Sequence, residues 1–336
     1  MEKNVLEFLE NSQRMYGEKT ACADMNNELT YTQLMNQAKF IGSCLSLKIK
    51  PTQGVPVYMD KTCNTLSLFM GIVYAGGYYC MLDTTHPVER INLILDTIQA
   101  DILVVDNKSA KKAEKLGFQG EIINLDELLE EYDGQVVDSE AQERLEKIRE
   151  QALDTDPLYS IFTSGSTGVP KGVVITQSAV MNTVLDINQK FSIDNTDKII
   201  GLSSMCFDLS VYDIFGSLST GAKLVEIEDI HDISYLERIV EKEGITVWNS
   251  VPAIMEMFLN GIGNERLFPT INTVLLSGDW IPVNMPNAIK KVCENARVVS
   301  LGGATEGSIW SIYYPVDYVD PEWKSIPYGK PLANQT

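Results

Sequence analysis

The alternation of short β-branched runs with amphipathic helical stretches constrains this 336-residue chain more than any other feature. Runs rich in Val and Ile predict strands at Val55–Met59, Ile102–Val105, Leu158–Phe162, Lys198–Ser204, Ile245–Asn249, Thr273–Ser277 and Arg297–Leu301. Apolar residues at helical spacing predict helices at Thr32–Leu47, Pro87–Gln99, Ser178–Lys190, Ser234–Glu243 and Val283–Asn295. Strands that alternate with helices form parallel sheets covered on both faces, so the sequence predicts an α/β fold.

The uncharged segment Thr62–Leu82 approaches the length of a membrane span. It contains Asn64, hydroxyl side chains and the pair Gly76-Gly77, which favour a buried helix, a glycine turn and a strand that enters the core. The N-terminus has mixed charge and no apolar stretch, so it does not resemble a signal peptide. These features predict a cytoplasmic protein without a membrane partner.

Charge, cysteine content and histidine content argue against nucleic-acid-binding and zinc-binding proteins. The formal net charge is -19, and the 27 basic residues are scattered, which argues against nucleic-acid binding. The cysteines form no CxxC pair and lie in mostly apolar surroundings, as free thiols do in reducing compartments. His86 and His231 are the only histidines, so no zinc site is predicted.

A loop rich in glycine and hydroxyl side chains follows one of the predicted strands. The sequence "YSIFTSGSTGVPKGVVIT" spans Tyr159–Thr176 and includes Lys171. Glycines let the backbone approach a polyphosphate, and successive amides and hydroxyls donate hydrogen bonds to it. The loop is therefore a predicted phosphate-binding site, although it lacks the GxxxxGK[ST] pattern of a Walker A loop.

The ten residues "TSGSTGVPKG" resemble the signature loop of the adenylate-forming superfamily, which includes acyl-CoA synthetases, luciferases and adenylation domains of nonribosomal peptide synthetases. Further family motifs are resembled, in the family's order, by "LTYTQL" (Leu29–Leu34), "YAGGYYCMLDTTHPVERI" (Tyr74–Ile91), "FDLSVYDIFGSLSTGAKLV" (Phe207–Val225), "LGGATEGSIW" (Leu301–Trp310) and "IPYGKPLAN" (Ile326–Asn334). The resemblance covers essentially the whole chain, and ordered matches are more specific than any single motif.

The resemblance implies a ligase that uses ATP and Mg²⁺ to convert a carboxylic acid into an acyl-adenylate and then passes the acyl group to a thiol, usually the phosphopantetheine of a carrier protein. It places the β- and γ-phosphates on Thr163, Ser164, Gly165, Ser166, Thr167 and Gly168, with Lys171 nearby. Thr305 would contact the α-phosphate and Glu306 would bind Mg²⁺. Gly278, Gly302 and Gly303 would border the adenine. The chain departs from the family pattern at Gln177, where His is frequent, and at Gly302, where an aromatic residue is common.

The resemblance also indicates which carboxylic acid the ligase would activate. Peptide-synthetase relatives bind the substrate α-ammonium group with the Asp of a Phe-Asp pair, and the corresponding residue here is Asp208. The alternative interpretation is that Asp208 is the N-cap of a helix. The other pocket positions fall on Leu209, Tyr212, Asn249, Leu275, Ser277, Leu301, Ile309 and Trp310. With Asp208 they spell D-L-Y-N-L-S-L-I-W, a pattern that resembles cysteine-activating domains. We therefore expect L-cysteine as the substrate, with L-serine as the nearest competitor.

The implied architecture is two doubly wound subdomains, one near residues 56–195 and the other from 1–55 plus 196–310. Residues 311–336 would begin an incomplete β-barrel. The family's small C-terminal domain and its catalytic lysine are expected beyond Thr336, so the chain is expected to be the large N-terminal part of an adenylation domain, weakly active or inactive alone. A D-alanine–carrier-protein ligase, an acyl-CoA synthetase and a non-catalytic substrate-binding module remain as alternatives.

Overall fold

The computed structural model describes residues 3–134, 137–163, 170–263 and 266–335. The chain divides into two compact units. The first unit combines Met1–Thr20 with Asn27–Ala179, and the second combines Ala21–Asn26 with Val180–Thr336.

The first unit is built on a mainly parallel sheet. Its helices are α1 (Leu6–Tyr16), α2 (Tyr31–Leu45), α3 (Cys63–Tyr74), α4 (Val88–Ile98), α5 (Ala110–Ala113), α6 (Leu125–Glu130) and α7 (Ser139–Gln151). Its strands are β2 (Glu28–Thr30), β3 (Gly54–Tyr58), β4 (Tyr78–Met81), β5 (Ile102–Val105), β6 (Glu121–Asn124), β7 (Pro157–Thr163) and β8 (Lys171–Thr176). The sheet order is β6-β5-β3-β4-β7-β8, and only the β7–β8 pair is antiparallel.

The second unit carries the larger parallel sheet. Its strands are β1 (Thr20–Ala23), β9 (Lys198–Gly201), β10 (Lys223–Glu226), β11 (Val247–Ser250), β12 (Thr273–Leu276), β13 (Arg297–Gly302), β14 (Ile312–Pro315) and β15 (Lys330–Pro331). Its helices are α8 (Gln177–Phe191), α9 (Leu209–Thr220), α10 (Ile233–Glu243), α11 (Pro252–Gly261), α12 (Met285–Val292) and a 3-10 turn at Thr305–Gly307. The strands run β15-β14-β13-β12-β11-β9-β10-β1, and all pairs from β13 to β1 are parallel.

The strand order of the second unit reverses at β9. From this strand the chain moves to β10 on one side, whereas β11, β12 and β13 follow on the other side. In doubly wound sheets such a reversal leaves a crevice at the carboxyl ends of the strands, where ligands bind. Trp248 and its buried neighbours form a large apolar core in this unit. The topology therefore places a ligand crevice beyond the ends of β9 and β11.

The N-terminal segment joins the first unit, not the second as the resemblance implied. The reason is the close packing of α2 against α3 at two glycines. A Cβ atom added at Gly42 would lie 2.7 Å from Cβ of Tyr74, and one added at Gly71 would lie 2.7 Å from Ile41. Only Ala21–Asn26 of this segment belongs to the second unit, where Cys22 pairs with Leu224 of β10.

The uncharged segment Thr62–Leu82 forms the buried helix, glycine turn and strand that its sequence indicates. Thr62 caps α3 in a reciprocal capping box with Thr65, and Gly76 adopts φ +82° in the turn before β4. Among the described residues, no helix is both long enough and apolar enough to cross a membrane.

The predicted fold class, α/β with mainly parallel sheets and flanking helices, is confirmed. Most predicted strands differ from the observed ones by one to three residues at an end, and Ile102–Val105 coincides with β5. In the region expected to begin a barrel, β14 and β15 extend the edge of the second unit's sheet as antiparallel strands. The barrel itself stays a prediction.

Candidate active site

A cavity of about 530 Å³ opens in the second unit at the carboxyl ends of the parallel strands. Its walls come from the loop after β9, the start of α9, and the segments that follow β11, β12 and β13. The lining residues are Leu202, Ser203, Ser204, Phe207, Asp208, Leu209, Ile230, Val251, Ile254, Ser277, Gly278, Gly303, Ala304, Thr305, Ile309 and Trp310. The cavity thus occupies the crevice that the strand order creates.

Asp208 supplies a carboxylate to this cavity. It stands at the N-cap position of α9, but its side chain makes no capping hydrogen bond and its backbone is helical (φ -65°, ψ -21°). Burial raises the pKa of Asp208, and the negative charge of Glu306 adds to this effect, whereas a hydrogen bond with Thr305 opposes it. A carboxylate in such surroundings is stabilised by a cationic partner.

Trp310 and Ser277 form a fixed pair in the cavity wall. The indole Nε1–H of Trp310 donates to Oγ of Ser277 at 2.9 Å, and both residues are almost fully buried. The ring of Trp310 packs on Tyr212 with centroids 4.9 Å apart. Tyr212 in turn donates its hydroxyl proton to Asn188 at 2.8 Å. Because every polar atom in this chain of contacts has a partner, the bulky wall is held in one orientation.

Asn249 lies behind the lining. Its Nδ2 donates to Oδ1 of Asp213 at 2.8 Å and to the carbonyl of Leu209 at 3.3 Å. Its Oδ1 is buried and has no hydrogen-bond partner among the described residues. Asn249 is directly paired with Leu275 on β12, so the two side chains share one face of the sheet.

The turn at Ser308 and Ile309 sets the direction of the chain at the cavity. Both residues have positive φ, 64° and 69°, which is strained for a β-branched residue such as Ile309. Thr183 of α8 donates its hydroxyl proton to the carbonyl of Ser308 at 3.0 Å, and Thr183 is fully buried. This contact helps to hold Ile309 and Trp310 in the cavity wall.

Two glycines on the cavity edge are required by geometry. Gly278 has φ +83°, a conformation that side chains rarely adopt. A Cβ atom on Gly303 would lie 2.8 Å from the backbone nitrogen of Ser311 and 2.8 Å from Cα of Trp310. The edge of the cavity is therefore exposed backbone, which permits close approach by a ligand.

Thr305 and Glu306 lie in the 3-10 turn after β13. Glu306 is exposed, and its negative charge contributes to the raised pKa of Asp208. Among the described residues no group of three or more His, Cys, Asp or Glu could enclose a metal ion. Mg²⁺ usually retains waters and takes one or two carboxylates together with substrate phosphates, so Glu306 fits a role as its single protein ligand.

The predicted phosphate-binding loop begins and ends in the first unit. Thr163 ends β7 and Lys171 begins β8, and the two residues are paired across the antiparallel ladder. Lys171 is exposed. The intervening Ser164, Gly165, Ser166, Thr167 and Gly168 lie outside the described residues.

The structure brings together some of the predicted pocket residues. Asp208, Leu209, Ser277, Ile309 and Trp310 line the cavity, as do Gly278, Gly303 and Thr305. Tyr212, Asn249, Leu275 and Leu301 are buried and do not line it, and Gly302 adjoins it beside Gly303. Sequence reasoning missed Phe207, Ile230, Val251 and Ile254 in the lining, and also the supporting hydroxyl of Thr183. Their signal is weak because isolated apolar or hydroxyl residues are common at strand and helix ends.

Comparisons with known proteins agree on one family. The family described as "AMP-binding enzyme" matches residues 9–336. Bacitracin synthase 1 of Bacillus licheniformis is 57% identical over 310 residues, which is 91% of this chain and 5% of that protein. Pyochelin synthetase PchF of Pseudomonas aeruginosa PAO1 is 35% identical over 94% of this chain and 17% of that protein. The chain therefore spans only a small part of these relatives.

A solved structure has a similar fold. The nonribosomal peptide synthetase FmoA3 superposes with a TM-score of 0.88 at 31% identity, over 98% of this chain and 34% of that chain. FmoA3 has also been solved in an AMPPNP-bound form and in an α-methyl-L-serine-AMP-bound form.

Proposed function

Because the chain belongs to the family of AMP-binding enzymes, we propose that it is an adenylation domain of a nonribosomal peptide synthetase and that it activates an α-amino acid. A carboxylate oxygen of the amino acid attacks the α-phosphorus of ATP, and the bond to the pyrophosphate oxygen breaks. The products are aminoacyl-AMP and pyrophosphate. A carrier-protein phosphopantetheine thiol then attacks the acyl carbon, gives up its proton, and displaces AMP.

The observation that carries this proposal is the position of Asp208. Its carboxylate lines the cavity, and burial raises its pKa in the absence of a cation. An α-ammonium group would form a charge-assisted pair with it. An acyl or aryl acid without an amino group would leave the carboxylate unpaired, which favours an amino acid over the substrates of an acyl-CoA synthetase.

The walls of the cavity favour a small, weakly polar side chain, and we propose L-cysteine. Leu209, Ile309 and Trp310 supply apolar surface. The oxygen of Ser277 already accepts from Trp310, so its own hydroxyl proton remains available to a substrate atom. A thiol behaves as a small hydrophobe with weak hydrogen bonds and suits this combination. L-serine is the nearest competitor, and the binding of α-methyl-L-serine-AMP by FmoA3 is compatible with either.

The remaining roles concern the nucleotide. We assign the β- and γ-phosphates to the loop from Thr163 to Lys171, the α-phosphate to Thr305, and Mg²⁺ to Glu306. The metal would neutralise phosphate charge when bound. The work of these side chains is positioning and charge neutralisation, since the nucleophile is the substrate's own carboxylate. None of the cysteines is joined in a disulfide, which fits a reducing compartment such as the cytoplasm.

An exchange assay tests the proposal. The full-length protein, ATP and labelled pyrophosphate are incubated with single amino acids, and label entering ATP is measured. We expect exchange to depend on an amino acid and to be fastest with L-cysteine. Equal or faster exchange with L-serine or L-alanine would refute the choice of cysteine. Exchange driven only by an aryl acid would refute the role of Asp208, and no exchange with any acid would refute the adenylation proposal.

A further inference from the structure

A buried hydroxyl group of α8 contacts the turn that carries part of the cavity wall. Thr183 is fully buried, and its hydroxyl donates to the carbonyl oxygen of Ser308 at 3.0 Å. The same carbonyl oxygen accepts from the backbone N–H of Trp310 at 2.8 Å. This second hydrogen bond spans two residues and closes a γ-turn centred on Ile309. Two donors, one local and one from a helix distant in sequence, therefore meet at one oxygen.

The γ-turn at Ile309 is of the strained type. Ile309 has φ +69°, and a γ-turn with positive φ at its central residue is rare and strained. The β-branched side chain of Ile309 makes positive φ still less favourable, and the preceding residue, Ser308, has φ +64°. Such strain persists only where the surrounding structure holds the backbone in place. Thr183 supplies a contact of this kind from outside the turn.

The γ-turn determines where two residues of the cavity wall lie. Ile309 and Trp310 line the cavity, and both are almost fully buried. A change of φ at Ile309 to a negative value would redirect its side chain and the backbone that leads to Trp310. The hydrogen bond from Trp310 to Ser277, at 2.9 Å, requires the indole ring in its present place. The shape of the wall therefore depends on the turn.

The helix that carries Thr183 is itself anchored beside this residue. The side-chain amide of Asn182 donates to the carbonyl oxygen of Ala333 at 2.9 Å. Oδ2 of Asp186 accepts from the backbone N–H of the same residue, Ala333, at 2.9 Å. These contacts lie on both sides of Thr183 along α8, so its hydroxyl is held at a fixed position.

From these contacts we propose that Thr183 is a positioning residue that helps to determine which amino acid the cavity accepts. It does not line the cavity, so it acts through Ile309 and Trp310. Its hydroxyl holds the strained turn, and the turn holds the bulky wall that excludes larger side chains. The inference rests on the proposed function, because the side chain that is selected belongs to the amino acid that the adenylation reaction activates.

The test compares two substitutions of Thr183 in the full-length protein. Thr183→Val has nearly the same shape without the hydroxyl, and Thr183→Ser keeps the hydroxyl. The matched control is Thr273→Val. Thr273 is also buried and donates its hydroxyl proton to Asn272 at 2.9 Å. It begins β12, at the end of the strand away from the cavity.

Pyrophosphate exchange is measured with L-cysteine and with L-leucine as a larger amino acid. In Thr183→Val we expect the kcat/KM for cysteine relative to leucine to fall about three- to tenfold, in line with the loss of one hydrogen bond. The KM for ATP should stay unchanged. Thr183→Ser and Thr273→Val should match the wild type. A loss of stability alone would lower the amount of active enzyme and leave this ratio unchanged.

An unchanged ratio in Thr183→Val would overturn the inference, and so would an equal change in Thr183→Ser or in the control. If Thr183→Val does not fold, Thr183→Ala replaces it, because alanine and serine at this position differ only in the hydroxyl.

Exchange by the wild type separates the inference from the proposed function. If the wild type catalyses exchange with an amino acid and the ratio is the same in every variant, the inference fails and the proposed function stands. If the wild type catalyses no exchange with any acid, the proposed function fails. A crystal structure of Thr183→Val then tests the positioning role directly. A relaxed turn at Ile309 would support this role, and a retained positive φ would overturn it.

Discussion

Replacing Asp208 by asparagine removes the charge that we assign to recognition of the α-ammonium group. The asparagine has the same size and keeps an oxygen that can accept a hydrogen bond from Thr305. A hydrogen bond to a charged group contributes about 1.5–3 kcal/mol, and each 1.4 kcal/mol changes an equilibrium constant about tenfold. We therefore expect the KM for the amino acid to rise by about ten- to a hundredfold, with the KM for ATP nearly unchanged.

The pH dependence gives a second readout for Asp208. Burial and Glu306 raise its pKa, so the wild type should lose amino-acid affinity as the pH falls through this raised value, and Asp208→Asn should not. The stability of the fold depends on pH in the opposite direction to amino-acid affinity. Because the pKa of Asp208 is higher in the folded than in the unfolded chain, the stability contributed by the protonated form is lost as the pH rises through the folded value. The variant should therefore unfold at slightly higher temperature than the ligand-free wild type at neutral pH.

The assay is pyrophosphate exchange at varied amino-acid and ATP concentrations, with Asp317→Asn as the matched control. Asp317 is an exposed carboxylate of the second unit that does not line the cavity. The control should keep both KM values. An unchanged amino-acid KM in Asp208→Asn, or an equal rise in the KM for ATP, would refute the reasoning.

The remaining predictions concern the packing of the first unit and the cavity wall of the second. Gly42→Ala should lower the free energy of unfolding, measured by denaturant titration, by about 1–3 kcal/mol, because the added methyl group would lie 2.7 Å from Cβ of Tyr74. The control Gly117→Ala should lower it less, because its methyl group would have only one neighbour, at 3.8 Å. Equal losses in the two variants would contradict this account. Trp310→Phe should remove the hydrogen bond to Ser277 and so raise the rate of pyrophosphate exchange with larger amino acids relative to cysteine. An unchanged preference across the amino-acid panel would contradict the assignment of the Trp310–Ser277 wall to selection of the substrate side chain.

Local patterns predicted most of the secondary structure. β-branched runs such as Ile102–Val105 predicted strands because a buried parallel strand needs apolar side chains on both faces. The N-terminal segment was placed in the wrong unit, because periodicity shows that a helix has an apolar face and not which helix covers it. The fit of Gly42 and Gly71 at the α2–α3 contact depends on tertiary packing.

The sequence predicted the candidate site only in part, because tertiary packing decides which motif positions reach the cavity. Motif positions identified Asp208, Ser277 and Trp310, all of which line the cavity. They also selected Asn249, which lies behind the lining and bonds to Asp213. The contribution of Thr183 depends on the contact of α8 with a strained turn distant in sequence, and a lone threonine in a helix carries no signal of such a contact.

The central claim is that the amino acid's carboxylate attacks the α-phosphorus of ATP. The most direct measurement uses L-cysteine with a heavy-oxygen-labelled carboxylate, ATP and hydroxylamine as the acyl acceptor, with mass spectrometry of the nucleotide product. The account predicts AMP that carries one labelled oxygen from the amino acid, together with unlabelled pyrophosphate. Formation of ADP and phosphate, or of AMP without the label, would contradict it.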